Sequence, residues 1–215
     1  MCARRRFDRL DSEKKDQIIE AAAEEFGRHG FDAASINKII ERAGISKGAA
    51  YYYFNDKSDL YATVLQTAMK RYERSISGET PFGPELLEAD TFWDQFVDMG
   101  MKGVKFLRDH PWMVRLFRSF FTYSESHQKD PAVELIWKAS RKQTEQWLQR
   151  GRDLGVMRND ISMELFMDLT FGVGLSLDRW LFEHIEDFSD AELEEAVFMM
   201  VDLIRRISEP PQERR

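Results

Sequence analysis

The chain has 215 residues, of which 43% are hydrophobic and 32% are charged, a balance that excludes a disordered or membrane-embedded chain. The longest apolar run, residues 169–177, is too short to span a bilayer, and the first residues are charged rather than signal-like, so we expect a cytoplasmic protein. The single cysteine excludes an internal disulfide framework and any multi-cysteine metal site.

The net charge of −7 is distributed unevenly along the chain. Residues 1–75 hold 14 basic and 12 acidic side chains, whereas the remaining 140 residues hold 17 and 26. A slightly positive N-terminal part followed by a negative remainder is typical of a chain that contacts a polyanion only with its N-terminal part. A chance fluctuation on a solvated surface would give the same difference.

The spacing of apolar residues is helical nearly everywhere, which predicts an all-α fold of about nine helices. Apolar positions between residues 18 and 26 predict a first helix. We expect Asp11 or Ser12 to cap its start, and we expect it to end near Gly27 and Gly30, because glycine often adopts the left-handed conformation at a helix end.

Three shorter helical patterns follow the first helix. Ser35 is expected to cap a second helix, which Gly44 ends. Ser46 is expected to cap a short third helix. Asp56, followed three residues later by Asp59, resembles a capping box at the start of a fourth helix.

The clearest interruption of the helical pattern lies in residues 77–84, which contain two prolines and two glycines. We therefore place a domain boundary there, which divides the chain into residues 1–75 and residues 76–215. Further helices are predicted at 91–108, 112–124, 131–153, 162–185 and 189–207.

The spacing of residues 35–53 is that of a helix-turn-helix motif. A helix of about two turns is followed by the connection Gly44-Ile45-Ser46 and then by a short helix, an arrangement that sets two helices at a steep angle. Glycine suits the turn because it adopts a positive φ without strain.

The third helix has a composition that points to a polyanionic partner. Lys47 stands at its start, where it can reach a base edge or a phosphate, and two small residues follow that let the backbone approach a groove floor. Three consecutive tyrosines cannot all be buried on one helix, and exposed tyrosine hydroxyls donate to phosphate oxygens. Tyr51 packing on the core is the alternative for that residue. The candidate contacts on this helix are Lys47, Gly48, Ala49, Tyr51, Tyr52 and Tyr53.

Two further segments fit the same interpretation. Ser35 and Lys57 begin the second and fourth helices, whose first amides can hold phosphates on either flank. Arg4, Arg5 and Arg6 form a basic arm that can enter a minor groove, although such a start also serves simply to keep a chain in solution.

Residues 18–65 resemble the DNA-binding head of the TetR/AcrR family of bacterial transcriptional regulators. The resemblance implies an all-helical homodimer whose three-helix heads bind double-stranded operator DNA. It implies that residues 1–75 are a DNA-binding domain and that residues 76–215 are an effector-binding and dimerisation domain. It implies base contacts from Lys47, Gly48, Ala49 and Tyr51, and phosphate contacts from Ser35, Tyr51, Tyr52, Tyr53 and Lys57. The family often has histidine at the position of Tyr53. The matching residues are Phe26, Gly30, Phe31, Ser35, Ile36, Ile39, Ala43 to Gly48, Tyr51 to Phe54, Lys57, Leu60 and Val64.

The second part of the chain is dense in aromatic and methionine residues. An apolar cavity between helices is the usual small-molecule site of a helical bundle, and methionine adapts to the shape of a ligand. We therefore expect a small apolar or aromatic effector, with ordinary core packing as the alternative for each residue. The candidate lining residues are Phe96, Met99, Phe117, Phe120, Phe121, Trp147 and Phe171.

In the resembling family the last two long helices pair with those of a second copy to form the dimer. Here Gly172 and Ser176 lie four residues apart, which would let two helix backbones approach closely. The last helix carries an apolar stripe that would serve either the interface or the core of the monomer. The stripe consists of Val197, Met200, Val201 and Ile204.

No pattern in the sequence points to catalysis, a metal ion or a cofactor. The four histidines lack the spacings of helical metal sites, and Ser124-Glu125-Ser126-His127 is expected on a loop between helices. We expect a regulator, most simply a repressor that a hydrophobic effector releases from its operator. The alternative is a helix-turn-helix protein without an effector, which is constitutive or controlled by a protein partner.

Overall fold

The computed structural model describes residues 6–77 and 83–211. Within these residues it contains nine α-helices and no β-strand, as the periodicity predicts. Two short 3₁₀ turns, Pro84–Leu86 and Ala89–Thr91, precede the fifth helix. The helices are α1 (Ser12–Ala33), α2 (Ile36–Arg42), α3 (Lys47–Tyr53), α4 (Lys57–Ser77), α5 (Phe92–Asp109), α6 (Pro111–Ser126), α7 (Pro131–Asp153), α8 (Met163–His184) and α9 (Asp190–Ser208).

Local signals set most of the helix starts. The Asp11 carboxylate accepts from the Lys14 amide at 2.8 Å, which decides between the two candidate caps of α1. Ser35 and Ser46 cap α2 and α3 as predicted. At α4 the Asp56 carboxylate accepts from the Asp59 amide at 2.8 Å as predicted, whereas the Asp59 carboxylate accepts from the amide of Asn55 rather than from that of Asp56.

Two glycines adopt the positive φ that the sequence suggests. Gly44, in the helix-turn-helix connection, has φ 58°, and Gly30 has φ 71°. Gly30 kinks α1 rather than ending it, since one further turn of helix continues to Ala33. Gly27 lies within the helical part of α1, so the prediction that it marks the helix end is wrong.

The chain forms two compact units. The first combines the residues up to Arg71 with His110–Ile136, and the second combines Tyr72–Asp109 with the residues from Trp137 onward. The first unit is discontinuous in sequence because α6 packs along α1. A Cβ on Gly27 would lie 3.0 Å from the Cβ of Arg115, which is tighter than most side-chain contacts, so glycine eases the close packing of the two helices. The division into residues 1–75 and 76–215 stays a prediction about function.

The second unit has its own apolar core. Residues from the segment before α5, from α7 and from α8 are buried together in it, and side chains of α5 and α8 pack against them. This core supports the helices that carry most of the predicted effector and dimer residues. Its buried members are Leu87, Phe92, Trp147, Leu148, Met157, Phe166 and Met167.

Candidate nucleic-acid interface

The helix-turn-helix is built around a small apolar core. Ile39, Ala43, Ala50 and Phe54 are buried where α2 and α3 meet. Alanine at position 43 lets the two helices cross closely, and the turn at Gly44 supplies the change in direction. The core thus fixes which side chains of α3 face outward.

A lysine from α1 fastens this turn. The Lys14 ammonium donates to the carbonyl oxygens of Ala43 at 3.0 Å and Gly44 at 3.2 Å. These carbonyls follow the end of α2, where backbone acceptors lack helical partners. The sequence gives no sign of this contact because Lys14 lies about 30 residues away from the turn.

The α3 helix presents its polar residues to solvent. Lys47 and Gly48 are exposed, and the side chains of Tyr51 and Tyr52 are 56% and 53% exposed. Tyr53 is half-buried and Phe54 is buried. The prediction that one or two of the three tyrosines face outward is therefore confirmed.

Tyr51 has a second environment besides solvent. Its inner part borders a small apolar cavity of the head that Ile36, Ile45 and Leu60 also line. One side of the Tyr51 ring therefore packs on the core, as the alternative interpretation predicts. Most of the side chain remains accessible to a partner.

The segment before α1 is anchored against α3. The Phe7 side chain is buried, and its ring centroid lies 5.1 Å from that of Phe54. This anchor places the Arg6 guanidinium 4.3 Å from the centroid of the Tyr52 ring, a cation–π contact. Arg4 and Arg5 of the predicted basic arm lie outside the described residues.

Ser35 and Lys57 lie at the starts of α2 and α4, as expected. Each also makes hydrogen bonds within the protein. The Ser35 amide donates to the Glu25 carboxylate at 3.0 Å, and its hydroxyl accepts from the Lys38 amide at 3.4 Å. The Lys57 ammonium donates to the carbonyl oxygens of Asp32 at 2.9 Å and Ala34 at 3.0 Å. Sequence reasoning missed these contacts, which tie α4 to the end of α1.

The seven predicted effector residues fall into both compact units. Phe96, Met99, Trp147 and Phe171 belong to or pack against the core of the second unit. The other three lie on α6 in the first unit, where Phe120 and Phe121 are buried. The structure therefore gathers four of the seven predicted residues into one cluster.

The predicted dimer residues divide in a similar way. Gly172 and Ser176 are exposed on α8, and Met200, Val201 and Ile204 are half-buried on α9. Val197 is buried, since its side chain packs on Gly100 of α5, and it is corrected here to a residue of the protomer core. The exposed apolar residues on these two helices are Leu165, Leu169, Phe198, Met199 and Leu203.

The serine and histidine near residue 125 do not form a nucleophile–base pair. The segment ends α6 rather than forming a loop, with Ser124 buried and donating to the Phe121 carbonyl at 2.9 Å. The His127 ring stacks on Tyr123, with centroids 4.0 Å apart.

Across the described part of the chain there is no histidine, cysteine or carboxylate cluster that would hold a metal ion. No described helix is long and apolar enough to cross a membrane.

Comparison with known proteins agrees with this geometry. Residues 18–64, which run from α1 into α4, match the family model described as bacterial regulatory proteins, tetR family. This part of the chain is therefore similar to the DNA-binding head of TetR-family regulators. The match covers the helix-turn-helix with its flanking helices, the same segment on which the sequence resemblance rests.

Two curated relatives show how far the similarity extends. Over 75 residues, 34% of this chain and 33% of its relative, the chain is 43% identical to the HTH-type transcriptional activator FasR of Mycolicibacterium smegmatis. It is 27% identical over 155 residues, 70% of this chain and 72% of the relative, to the HTH-type transcriptional repressor AcnR of Corynebacterium efficiens. The matches to several curated relatives thus span only about a third of their length. These names agree with the expectation that the chain is not an enzyme.

A solved structure shows the same fold over most of the chain. The transcriptional regulator FadR from Bacillus subtilis, in complex with stearoyl-CoA, superposes with a TM-score of 0.67 at 18% identity. The superposition covers 88% of this chain and 96% of that one. The fold of this chain is therefore shared well beyond residues 18–64.

Proposed function

We propose that this chain is a dimeric regulator of the TetR family that reads double-stranded operator DNA with α3. The observation that carries the proposal is the outward face of that helix, where Lys47, Gly48, Tyr51 and Tyr52 are exposed together. Exposed aromatic and basic side chains on a rigidly held short helix fit the major groove, where a helix N-terminus reaches the base edges.

Each residue of the interface has a distinct part in this proposal. Lys47, Gly48 and Ala49 approach the bases, because they stand at the start of α3. The tyrosine hydroxyls donate to phosphates and fix the orientation of the head. Ser35 and Lys57 mark the two flanks, where the first amides of α2 and α4 face the DNA backbone. The Lys57 ammonium meanwhile stays on its two carbonyl partners.

Dimerisation is proposed through α8 and α9. Leu165 and Leu169 on α8, and Phe198 and Leu203 on α9, are between 38% and 51% exposed. Apolar residues grouped on one surface are typical of a protein interface. Gly172 and Ser176 lie in the same region of α8 and allow close approach of a second copy. Two heads held about 34–36 Å apart then read successive major grooves.

The regulatory step is proposed to be a population shift caused by a small molecule in the second unit. An effector that binds one body conformation more tightly draws the dimer away from the head spacing that fits the operator. The binding of stearoyl-CoA by the structurally similar FadR supports an effector of apolar character. Repression is proposed as the outcome, as in AcnR, although FasR is an activator by name. A regulator without an effector is the second candidate.

The test of DNA binding is a salt series with the duplex upstream of the chain's own gene, and with duplexes that the protein selects from a random library. Tyr52→Phe removes one hydroxyl from a phosphate, so affinity falls while the slope against log salt stays unchanged, because the hydroxyl carries no charge and releases no counterion. Lys47→Ala costs about 1–3 kcal/mol on the preferred sequence, because it removes a base contact.

Lys105→Ala is the matched control, since Lys105 is an exposed lysine of α5 in the second unit. It should leave affinity and salt slope at their wild-type values. Weak binding that is uniform across sequences, or equal losses in all three variants, would contradict the proposed interface.

A further inference from the structure

A short turn before α1 is packed against the end of α3. The Leu10 amide donates to the carbonyl oxygen of Phe7 at 3.0 Å, which closes the turn. The Lys15 ammonium of α1 donates to the next carbonyl oxygen along the chain, that of Asp8, at 2.7 Å. The Phe7 side chain is only 4% exposed, and its ring packs on that of Phe54. The backbone of this turn is therefore fixed relative to α3.

A closed series of ring contacts holds the Arg6 side chain over Tyr52. The guanidinium carbon lies 4.3 Å from the centroid of the Tyr52 ring. That ring meets Tyr53 edge-on with centroids 5.6 Å apart, and Tyr53 meets Phe54 edge-on at 6.4 Å. Phe54 in turn packs on Phe7, the neighbour of Arg6 in the chain. The series returns to its starting point, which sets the position of Arg6 on the surface of α3.

The Arg6 guanidinium keeps its hydrogen-bond donors available. Its side chain is exposed, and within residues 6–77 and 83–211 no carboxylate or carbonyl oxygen pairs with it. Lys14 and Lys57 differ in this respect, because their ammonium groups donate to backbone carbonyl oxygens. A cation–π contact uses the face of the ring and leaves the N–H groups of a guanidinium free to donate. Arg6 thus presents an oriented, unpaired cation beside the exposed Tyr52.

The chemistry of this pair fits the phosphates of a DNA backbone. A guanidinium binds a phosphate through two parallel N–H donors, and a tyrosine hydroxyl donates to a phosphate oxygen. Because the Arg6 guanidinium lies over the Tyr52 ring, both groups can reach the phosphates beside α3. The anchor at Phe7 keeps the guanidinium at α3, which favours a phosphate at the edge of the major groove over insertion into the minor groove.

We propose that Arg6 binds a DNA phosphate and that the ring of Tyr52 is its positioning residue. The inference rests on the proposed function, since it assigns a further contact to the same DNA interface. It gives Tyr52 two separate parts, because the hydroxyl binds a phosphate while the ring holds Arg6. Removing the hydroxyl and removing the ring therefore have different consequences.

The test measures binding of the full chain, across a salt series, to duplexes that it selects from a random library. Arg6→Gln removes one charged phosphate contact, so the slope against log salt falls by roughly 1. Tyr52→Phe keeps the ring beneath the guanidinium and should leave that slope unchanged. Tyr52→Leu removes the ring and should lower both the affinity and the slope, because the guanidinium is no longer held at the phosphate.

A double-mutant cycle measures whether the two residues act together. The loss of affinity caused by Tyr52→Leu should be about two- to fivefold smaller in the Arg6→Gln background than in the wild type. Tyr52→Phe should show less than about twofold coupling to Arg6→Gln, since the ring that holds the guanidinium is kept. Additive effects of Tyr52→Leu and Arg6→Gln would overturn the positioning role of the ring.

Arg9→Gln is the matched control for the loss of charge. Arg9 is an exposed arginine three residues further along, and the described residues place no aromatic ring beneath it. Its removal should leave the salt slope at the wild-type value, and thermal unfolding checks that every variant remains folded. An equal fall of the slope for Arg6→Gln and Arg9→Gln would overturn the proposal, because the effect would then come from the general positive charge of the segment.

A measurement without DNA separates this inference from the proposed function. In the free protein the Tyr52 ring should shift the NMR resonances of the Arg6 side-chain protons upfield, and Tyr52→Leu should abolish the shift. Absence of the shift in the wild type would overturn the inference and leave the DNA interface standing. An unchanged salt slope in Arg6→Gln, beside a reduced slope in Lys47→Ala, would contradict only the role of Arg6. Weak binding that is uniform across sequences would contradict the proposed function and the role of Arg6 with it.

Discussion

Replacing Lys57 by methionine separates its structural contacts from a contact with DNA. The Lys57 ammonium donates to the carbonyl oxygens of Asp32 and Ala34 and lies 4.9 Å from the centroid of the Phe31 ring. Methionine keeps most of the length of the side chain and removes only the charge and the donors. Any loss of stability in the variant therefore reports on these three contacts rather than on the packing of the aliphatic part of the side chain.

The expected loss follows from the contacts. A hydrogen bond from a charged donor contributes about 1.5–3 kcal/mol when partly buried, as at Ala34, and less when its acceptor is exposed, as at Asp32. The cation–π contact adds about 0.5–1 kcal/mol. Water rehydrates the exposed carbonyl in the variant, so we expect a net loss of about 2–3 kcal/mol. For a chain of this length that lowers Tm by roughly 4–12 °C.

The assay is thermal unfolding together with the salt dependence of operator binding. If the ammonium stays on its carbonyl partners in the complex, Lys57→Met leaves the salt slope unchanged, because no phosphate contact is removed. Lys47→Ala serves as the comparison, since it removes an exposed cation from the proposed DNA face and should lower the slope while Tm stays nearly unchanged. The reasoning is refuted if Lys57→Met keeps the wild-type Tm while the slope falls by about 1.

Three further predictions test the packing, the dimer and the Asp178 carboxyl. Gly27→Ala should lower Tm by about 2–4 °C, because overpacking against Arg115 exceeds the gain in helix propensity; a higher Tm would contradict the close approach of α1 and α6. Phe198→Glu should shift the protein from dimer to monomer in sedimentation, whereas a dimer that persists would exclude this face. Desolvation by the surrounding protein raises the pKa of the Asp178 carboxyl from 3.8 to about 6, so the folded state binds more protons between these values and loses stability as pH rises through them. Asp178→Asn should therefore raise Tm above pH 6 and match the wild type below pH 4, and a gain that does not depend on pH would contradict the assignment.

Local features of the sequence were sufficient for the outline of the head. The spacing of apolar residues predicted the helices, and the caps at Ser35 and Ser46 formed as expected, because a serine hydroxyl satisfies a helix amide only three residues away. The positive φ of Gly44 also followed from its place in a short turn. Even the exposure of Tyr51 and Tyr52 was predictable, since adjacent residues on a helix point in different directions.

Contacts between distant segments could not be predicted in this way. Periodicity shows that one face of a helix is buried but not which helix covers it, so the packing of α6 on α1 and the burial of Val197 on α5 emerged only from the structure. Lys14 and Lys57 looked like surface cations, because a long side chain carries no local sign of the carbonyl that it reaches.

The sequence by itself predicted the helical class, the family resemblance and the residues proposed to face DNA, because these depend on spacings within some 20 residues. Only the tertiary structure decided which helix covers each apolar face, as where Val197 of α9 packs on Gly100 of α5, since the burial of one helix face is set by the helices packed around it.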